Sequence, residues 1–179
     1  MSRAWKPIAI VAALAALQLG LLVAVRSRSS SGEARALNVE AVADAPLLPA
    51  LLLDARGEKR ALTTAGRVTL VHVWATWCKP CREELPELLA LQEDGVVVVA
   101  VSVDESWEVI DHFFAGRAPA NVVRASHDEV RASFGVDKLP TTFVVDAGGR
   151  IRFRLAGGQP WNAGPTRAWL AAQGRSSAP

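Results

Sequence analysis

The chain holds only two cysteines, Cys78 and Cys81, inside the run WATWCKPCREELP from Trp74 to Pro86. A pair separated by two residues can be half a zinc site, a structural staple or a dithiol that cycles with its disulfide. Zinc normally takes four ligands, and the histidines available, His72, His112 and His127, stand at no finger-like spacing from the pair. A disulfide closing so short a loop removes little chain entropy, so as a staple it would stabilise poorly. The redox alternative has a positive argument. Cys78 falls where a strand is expected to end and a helix to begin, and there unpaired backbone N–H groups and the helix dipole favour an anion. The thiolate is the attacking species. Cys81, one turn on, is placed to resolve a mixed disulfide, Pro80 suits a first helical turn that needs no N–H, and Lys79 adds a positive charge nearby.

The elements that hold this pair follow from the hydrophobic pattern. RVTLVHVWA (67–75) is a nearly continuous apolar, β-branched run, as in a central strand covered on both faces. CKPCREELPELLALQED repeats leucine at helical spacing. GVVVVAVSVD (95–104) reads as a second buried strand, ESWEVIDHFFAG as an amphipathic helix ending at Gly116, ANVVRAS as a short strand and DEVRASFG as a short helix. TTFVVDAGGRIRFRLAG predicts a hairpin turning at Gly148-Gly149, and AGPTRAWLAAQG a closing helix. Ahead of these, LLLD and KRAL flank ARGE, a small hairpin with Gly57 in its turn. Alternating strands and helices followed by a hairpin and a helix imply a mixed α/β sheet covered on both faces.

The first residues read differently. Ile8 to Val25 are 18 residues broken only by Gln18 and Gly20, with Arg3 and Lys6 before and Arg26 and Arg28 after. At about 1.5 Å per residue the run spans roughly 27 Å, close to the ~30 Å of a bilayer core. It exceeds the usual apolar core of a signal peptide, and the Ala34-Arg35-Ala36 triplet lies well past it, so a retained anchor is expected. The division that follows is a cytoplasmic N-terminus over 1–7, a transmembrane anchor over 8–25, a Ser-rich flexible tether over 26–44, a folded domain over 45–174 and a disordered tail over 175–179. The formal net charge is +2, but from Leu37 onward 17 acidic side chains outnumber 15 basic ones. With no cluster of basic residues and aromatics, nucleic acid is excluded as a partner.

WATWCKPCREELP, with LPTTFVVDAGGRI about 55 residues later, resembles the membrane-anchored thioredoxin-like proteins of the TlpA/ResA/CcmG (DsbE) group. The resemblance covers roughly Ala45 to Gln173. It implies a thioredoxin fold with an N-terminal β-hairpin and an inserted αβ unit, here ESWEVIDHFFAGRAPANVVRAS. It also implies a domain facing the periplasm or cell exterior from the cytoplasmic membrane. By the same resemblance Cys78 is the nucleophile and Cys81 the buried resolving thiol. Pro140 is then a cis-proline beside the disulfide, with the backbone of Leu139 open to a substrate strand. Glu84 matches an acidic residue three positions after the second cysteine that can exchange a proton with it. His72 departs from the pattern: cytoplasmic thioredoxins carry aspartate six residues before the first cysteine, and many relatives of this group carry asparagine. On a strand His72 and Trp74 share a face. A neutral imidazole there could help deprotonate Cys81, a cation would strengthen the thiolates, and the plainer reading is a hydrogen-bonded core histidine. Trp74 and Trp77 are expected to pack around the disulfide, with Trp77 bordering the docking surface, and His112 and His127 to lie on the surface.

The function so implied is a thiol–disulfide oxidoreductase without cofactor or metal. It would reduce a client protein's disulfide, in apocytochrome c or a respiratory copper-site protein, and be re-reduced by an electron-donating membrane protein. KP between the cysteines differs from the PH of the strong periplasmic oxidant, which favours reduction; a disulfide-forming oxidant on the same fold is the alternative. A copper metallochaperone would use soft thiolates, but related folds use a wider cysteine spacing. A thiol peroxidase would place its cysteine after a Thr-x-x motif and a proline, absent here.

Overall fold

All six residues of β2 (Thr69–Trp74) are buried. Successive side chains on a strand point to opposite faces, so this strand is covered on both. Leu70, Val71 and Val73 are fully enclosed, and each contributes roughly 1.5–3 kcal/mol relative to exposure. The computed structural model describes Gln18, Leu37 and residues 39–46, 52–60, 62, 66–93 and 96–176. Around β2 it assembles a six-stranded sheet in the order β1-β6-β5-β2-β3-β4, with β1 Val39–Pro46, β3 Val97–Ser102, β4 Val122–Arg124, β5 Thr141–Val145 and β6 Arg150–Ala156. The neighbours β2, β3 and β4 run parallel, while β5, β6 and β1 extend the sheet antiparallel. Among the described residues four helices accompany it: α1 Lys79–Ala90, α2 Trp107–Phe113, α3 His127–Phe134 and α4 Gly164–Ser176. This is the thioredoxin-like α/β arrangement, with α2 and β4 as the inserted unit between β3 and α3.

The local reasons are visible in the sequence. Helix α1 opens at Cys78, whose backbone is extended and whose sulfur accepts from the Cys81 N–H. It buries Cys81, Glu84, Leu85 and Leu88, a single stripe at helical spacing. Ser126 caps α3 by accepting from the Glu129 N–H, and Gly135 closes it in the left-handed conformation. The β5–β6 hairpin turns through Gly149 at φ 79°. One rung of the sheet crosses the whole fold: Val39, Leu155, Thr142, His72, Ala100 and Val122 are successive register partners.

The structure refines several expectations. The domain begins at Leu37 rather than Ala45: residues 39–44, read as tether, belong to β1, which pairs with the edge of β6. Ala41, Ala43 and Ala45 carry too little hydrophobicity to reveal that strand, whose pairing is made by backbone groups. Among the described residues the N-terminal hairpin is present but short. The Arg60 N–H donates to the Leu52 carbonyl and the Asp54 N–H to the Glu58 carbonyl on either side of the Gly57 turn. Leu53 bridges Lys59, and Leu53 also bridges Arg124 at the opposite sheet edge. Helix α2 stops before Gly116, and Ala115 rather than the glycine takes a positive φ of 53°. Residues 175 and 176, read as the start of a disordered tail, belong to the end of α4. The N-terminal residues 1–7, the apolar run 8–25 apart from Gln18, the tether as far as Ala36 and the rest of the tail, 177–179, lie outside the described residues. Among the described residues no helix is long and apolar enough to cross a membrane.

Candidate active site

Cys78 and Cys81 are joined in a disulfide. Cys78 sits at the helix rim, 7% exposed, whereas Cys81 is sealed. The α1 first turn has no acidic side chain, so nothing there opposes a thiolate on Cys78, and the Cys81 N–H already points at its sulfur (3.4 Å). Pro80 occupies that first turn as its missing N–H allows. Lys79 forms an exposed ion pair with Glu83, so its charge is shared with that carboxylate. The loop leading to Cys78 is pinned from β3: Asp104 accepts from the Thr76 N–H (2.9 Å) and hydroxyl (2.8 Å) and from the Ser102 hydroxyl (2.7 Å). The two tryptophans separate. Trp74 is buried against Phe113 and Phe114, while Trp77, which immediately precedes Cys78 in the chain, is 64% exposed.

The Leu139–Pro140 peptide is cis. Thr141 is the register partner of Val73, which brings Pro140 to the end of β5 that adjoins the β2–α1 loop. Pro140 is buried, Leu139 half-buried, and the Pro140 carbonyl accepts from the Gly157 N–H (2.9 Å).

Behind the sulfurs lies a buried acid. Glu84, one helical turn beyond Cys81, is 6% exposed. Its Oε2 accepts from the Gln159 backbone N–H at 2.6 Å and from the Trp161 indole N–H at 2.9 Å. Burial pushes its carboxyl up to about 7; the two donated hydrogen bonds pull the other way, and the Glu87 charge adds a smaller upward push. Its Oε1 stands 3.7 Å from His72 Nε2. His72 is fully buried, with Nδ1 2.9 Å from the hydroxyl of its cross-strand partner Thr142. Burial holds the imidazole down to about 3, so at neutral pH the contact with Glu84 is not an ion pair. His112 and His127 are exposed. Among the described residues no three His, Cys, Asp or Glu side chains cluster as metal ligands would.

Gln159 and Trp161 were not among the residues singled out from sequence. They lie 75 and 77 positions from Glu84, beyond any local periodicity. The available hint was a tryptophan, fully buried here, set in the Gly- and Pro-rich run GGQPW.

The fold and this site define a thioredoxin-like protein whose centre is a dithiol–disulfide pair at a helix N-terminus. The chain belongs to the AhpC/TSA family, whose model matches residues 43–154. Among curated relatives it is 35% identical over 115 residues to the thiol:disulfide interchange protein HelX of Rhodobacter capsulatus, covering 61% of this chain and 65% of that one. The thiol-disulfide oxidoreductase ResA of Geobacillus thermodenitrificans is 34% identical over 115 residues, covering 60% and 65%. The matched region thus spans about 65% of the length of these relatives. The solved structure of StoA from Bacillus subtilis superposes with a TM-score of 0.54 at 25% identity, covering 69% of this chain and 98% of that one. The resemblance to the TlpA/ResA/CcmG group is borne out.

Proposed function

We propose that this protein is a thiol–disulfide oxidoreductase that reduces a disulfide of a client protein outside the cytoplasm, tethered to the cytoplasmic membrane by its N-terminal apolar run. The observation that carries the reading is the Cys78–Cys81 disulfide at the start of α1, with one sulfur at the rim and the other sealed. In the reduced protein the Cys78 thiolate attacks a client disulfide: a Cys78–client bond forms, and the second client sulfur leaves with the electron pair. The Cys81 thiol then gives up its proton, and the resulting thiolate attacks Cys78. The Cys78–Cys81 bond forms, the client sulfur departs as a thiolate, and two electrons have passed to the client. A membrane electron donor restores the dithiol.

The exposed Trp77 ring and the backbone of Leu139 border the rim sulfur as a docking surface for an extended client segment. Glu84 is the group that exchanges a proton with Cys81: i and i+3 side chains are neighbours on a helix, and a carboxyl raised to about 7 is poised for general acid–base work near neutrality. The names of the HelX and ResA relatives support the activity, and the group resemblance supports clients in cytochrome c maturation or copper-site assembly. Replacing Cys81 by Ser should trap clients covalently on Cys78, identifiable by mass spectrometry. Absence of trapped adducts together with absence of insulin reduction by the unmodified protein would reject the reading.

A further inference from the structure

Two polar atoms at the heart of this site have no hydrogen-bond partner among the described residues: His72 Nε2 and Glu84 Oε1. They face one another across 3.7 Å. An unpaired buried polar atom is costly, yet a single proton between these two would satisfy both. The rest of the geometry supports that arrangement. Glu84 Oε2 is fully engaged by the Gln159 N–H and the Trp161 indole, which fixes the carboxyl plane and leaves Oε1 as the free oxygen. The clamp itself is braced: the Gln159 side chain donates to the carbonyls of Ala156 (3.3 Å) and Gly157 (2.9 Å). On the other side, Thr142 holds His72 Nδ1. A hydroxyl both donates and accepts, so it suits either neutral tautomer of the ring.

We propose that Glu84 and His72 form a one-proton unit that serves Cys81, with Trp161 and Gln159 as positioning residues that turn Glu84 Oε1 onto His72 Nε2. The proposal rests on the oxidoreductase reading above and specifies where the resolving proton goes. When Cys81 is deprotonated, the Nε2 proton moves onto Glu84 Oε1, Nδ1 takes the Thr142 hydroxyl proton, and the proton released by Cys81 restores that hydroxyl. The unit thereby changes from carboxylate plus neutral imidazole to carboxylic acid plus neutral imidazole. In the carboxylic acid form Oε1–H donates to Nε2, and Nδ1–H donates to Thr142. In the carboxylate form Nε2–H donates to Oε1, and the Thr142 hydroxyl donates to Nδ1. On re-reduction of the disulfide the proton returns to Cys81. The imidazole never becomes a cation, in keeping with its complete burial. The ionisable neighbours are Cys81 and Glu87 on α1; the Lys79–Glu83 pair is exposed, and neither Thr142 on β5 nor residues 157–161 carry an ionisable side chain.

The test is NMR of the oxidised full chain labelled with ¹⁵N in histidine and ¹³C in the glutamate carboxyl, titrated from pH 4 to 9. The His72 ring nitrogens should exchange donor and acceptor character at the same midpoint at which the Glu84 carboxyl titrates, without the shift pattern of an imidazolium. In Trp161→Phe, which keeps the ring but loses the N–H, both midpoints should rise together, since a donor to the carboxylate is gone. A His72 signal unchanged while Glu84 titrates, or an imidazolium at the midpoint, overturns the unit. An unmoved midpoint in Trp161→Phe overturns the clamp. Reaction of the reduced chain with dithionitrobenzoate separates this from the activity reading, because Cys78 releases the first thionitrobenzoate and Cys81 the second. Relative to the first, the second release should slow on acidification through the Glu84 midpoint, and that inflection in the ratio of the two rates should be lost in Glu84→Gln. A second release indifferent to that midpoint overturns the role toward Cys81. Loss of both releases strikes the redox reading itself while leaving the NMR result to stand.

Discussion

At the scale of single residues, two buried groups pull the pH dependence of stability in opposite directions. The carboxyl of Glu84 is raised from 4.5 to about 7. Between those values the folded state holds a proton that the unfolded state has lost, so this group stabilises below pH 4.5 and its contribution disappears as pH rises through 7. His72 is lowered from 6.5 to about 3. Between those values the unfolded state binds the extra proton, so its contribution grows as pH rises from 3 to 6.5. Each slope is about 1.4 kcal/mol per pH unit at its fullest. Over pH 4.5–6.5 they nearly cancel, which predicts a flat stability there in urea titrations of the oxidised protein. Glu84→Gln should unmask the histidine, giving stability that climbs across the same window by roughly 2–3 kcal/mol. A profile still flat in that variant would contradict the buried neutral imidazole. The sulfurs and Glu84 were legible in sequence because helical spacing is local. The state of His72 was not, because it depends on Thr142, Glu84 and a loop that reach it only through folding.

Among the elements, the strand-to-helix junction carries the chemistry, and what fixes it is the end of β3. Asp104 takes three hydrogen bonds, two from Thr76, two residues before Cys78. Replacing it by Ala leaves the Thr76 N–H and hydroxyl and the Ser102 hydroxyl without their carboxylate. The expected cost is on the order of 2–3 kcal/mol, read as a lower urea midpoint of the oxidised protein. The loosened loop should also change the alkylation rate of Cys78 in the reduced protein. Asp104→Asn, which keeps an acceptor for the Thr76 N–H, should recover part of both. The order of strands and helices was readable because fully buried runs such as TLVHVW and VVVAVS announce themselves by composition. The pinning of one by the other was not, since a lone aspartate after a strand has many uses. Helix α1 shows the same limit from the other side: its apolar stripe includes Glu84, and only the clamp from residues 159–161 explains how an acid can sit there.

For the molecule as a whole, the described N-terminal residues meet the sheet at both ends. β1 pairs with β6 at one edge, and Leu53 exchanges backbone hydrogen bonds with Arg124 of β4 at the other (3.1 and 2.8 Å). Without β1 the end of β6 would be bare, and unpaired strand ends invite aggregation; the weakly apolar sequence of β1 conceals that contribution, which is why its first residues resembled a tether. The rung from Val39 through Leu155 and Thr142 to His72 ties that edge to the candidate proton site, and Leu155 leads directly into the 157–161 clamp. A chain begun at Ala45 loses the pairings of Val39, Glu40 and Ala41 while keeping those of Ala45 and Pro46. Compared with one begun at Leu37, it should unfold at lower urea, by on the order of 2–3 kcal/mol for the lost backbone pairs. It should also aggregate more readily at equal concentration, as followed by light scattering. Because the freed end of β6 carries the Glu84 clamp, the second thionitrobenzoate release should slow more than the first. Equal stability of the two chains would show that β1 is dispensable to the fold, and equal slowing of both releases would show that the edge does not communicate with the clamp.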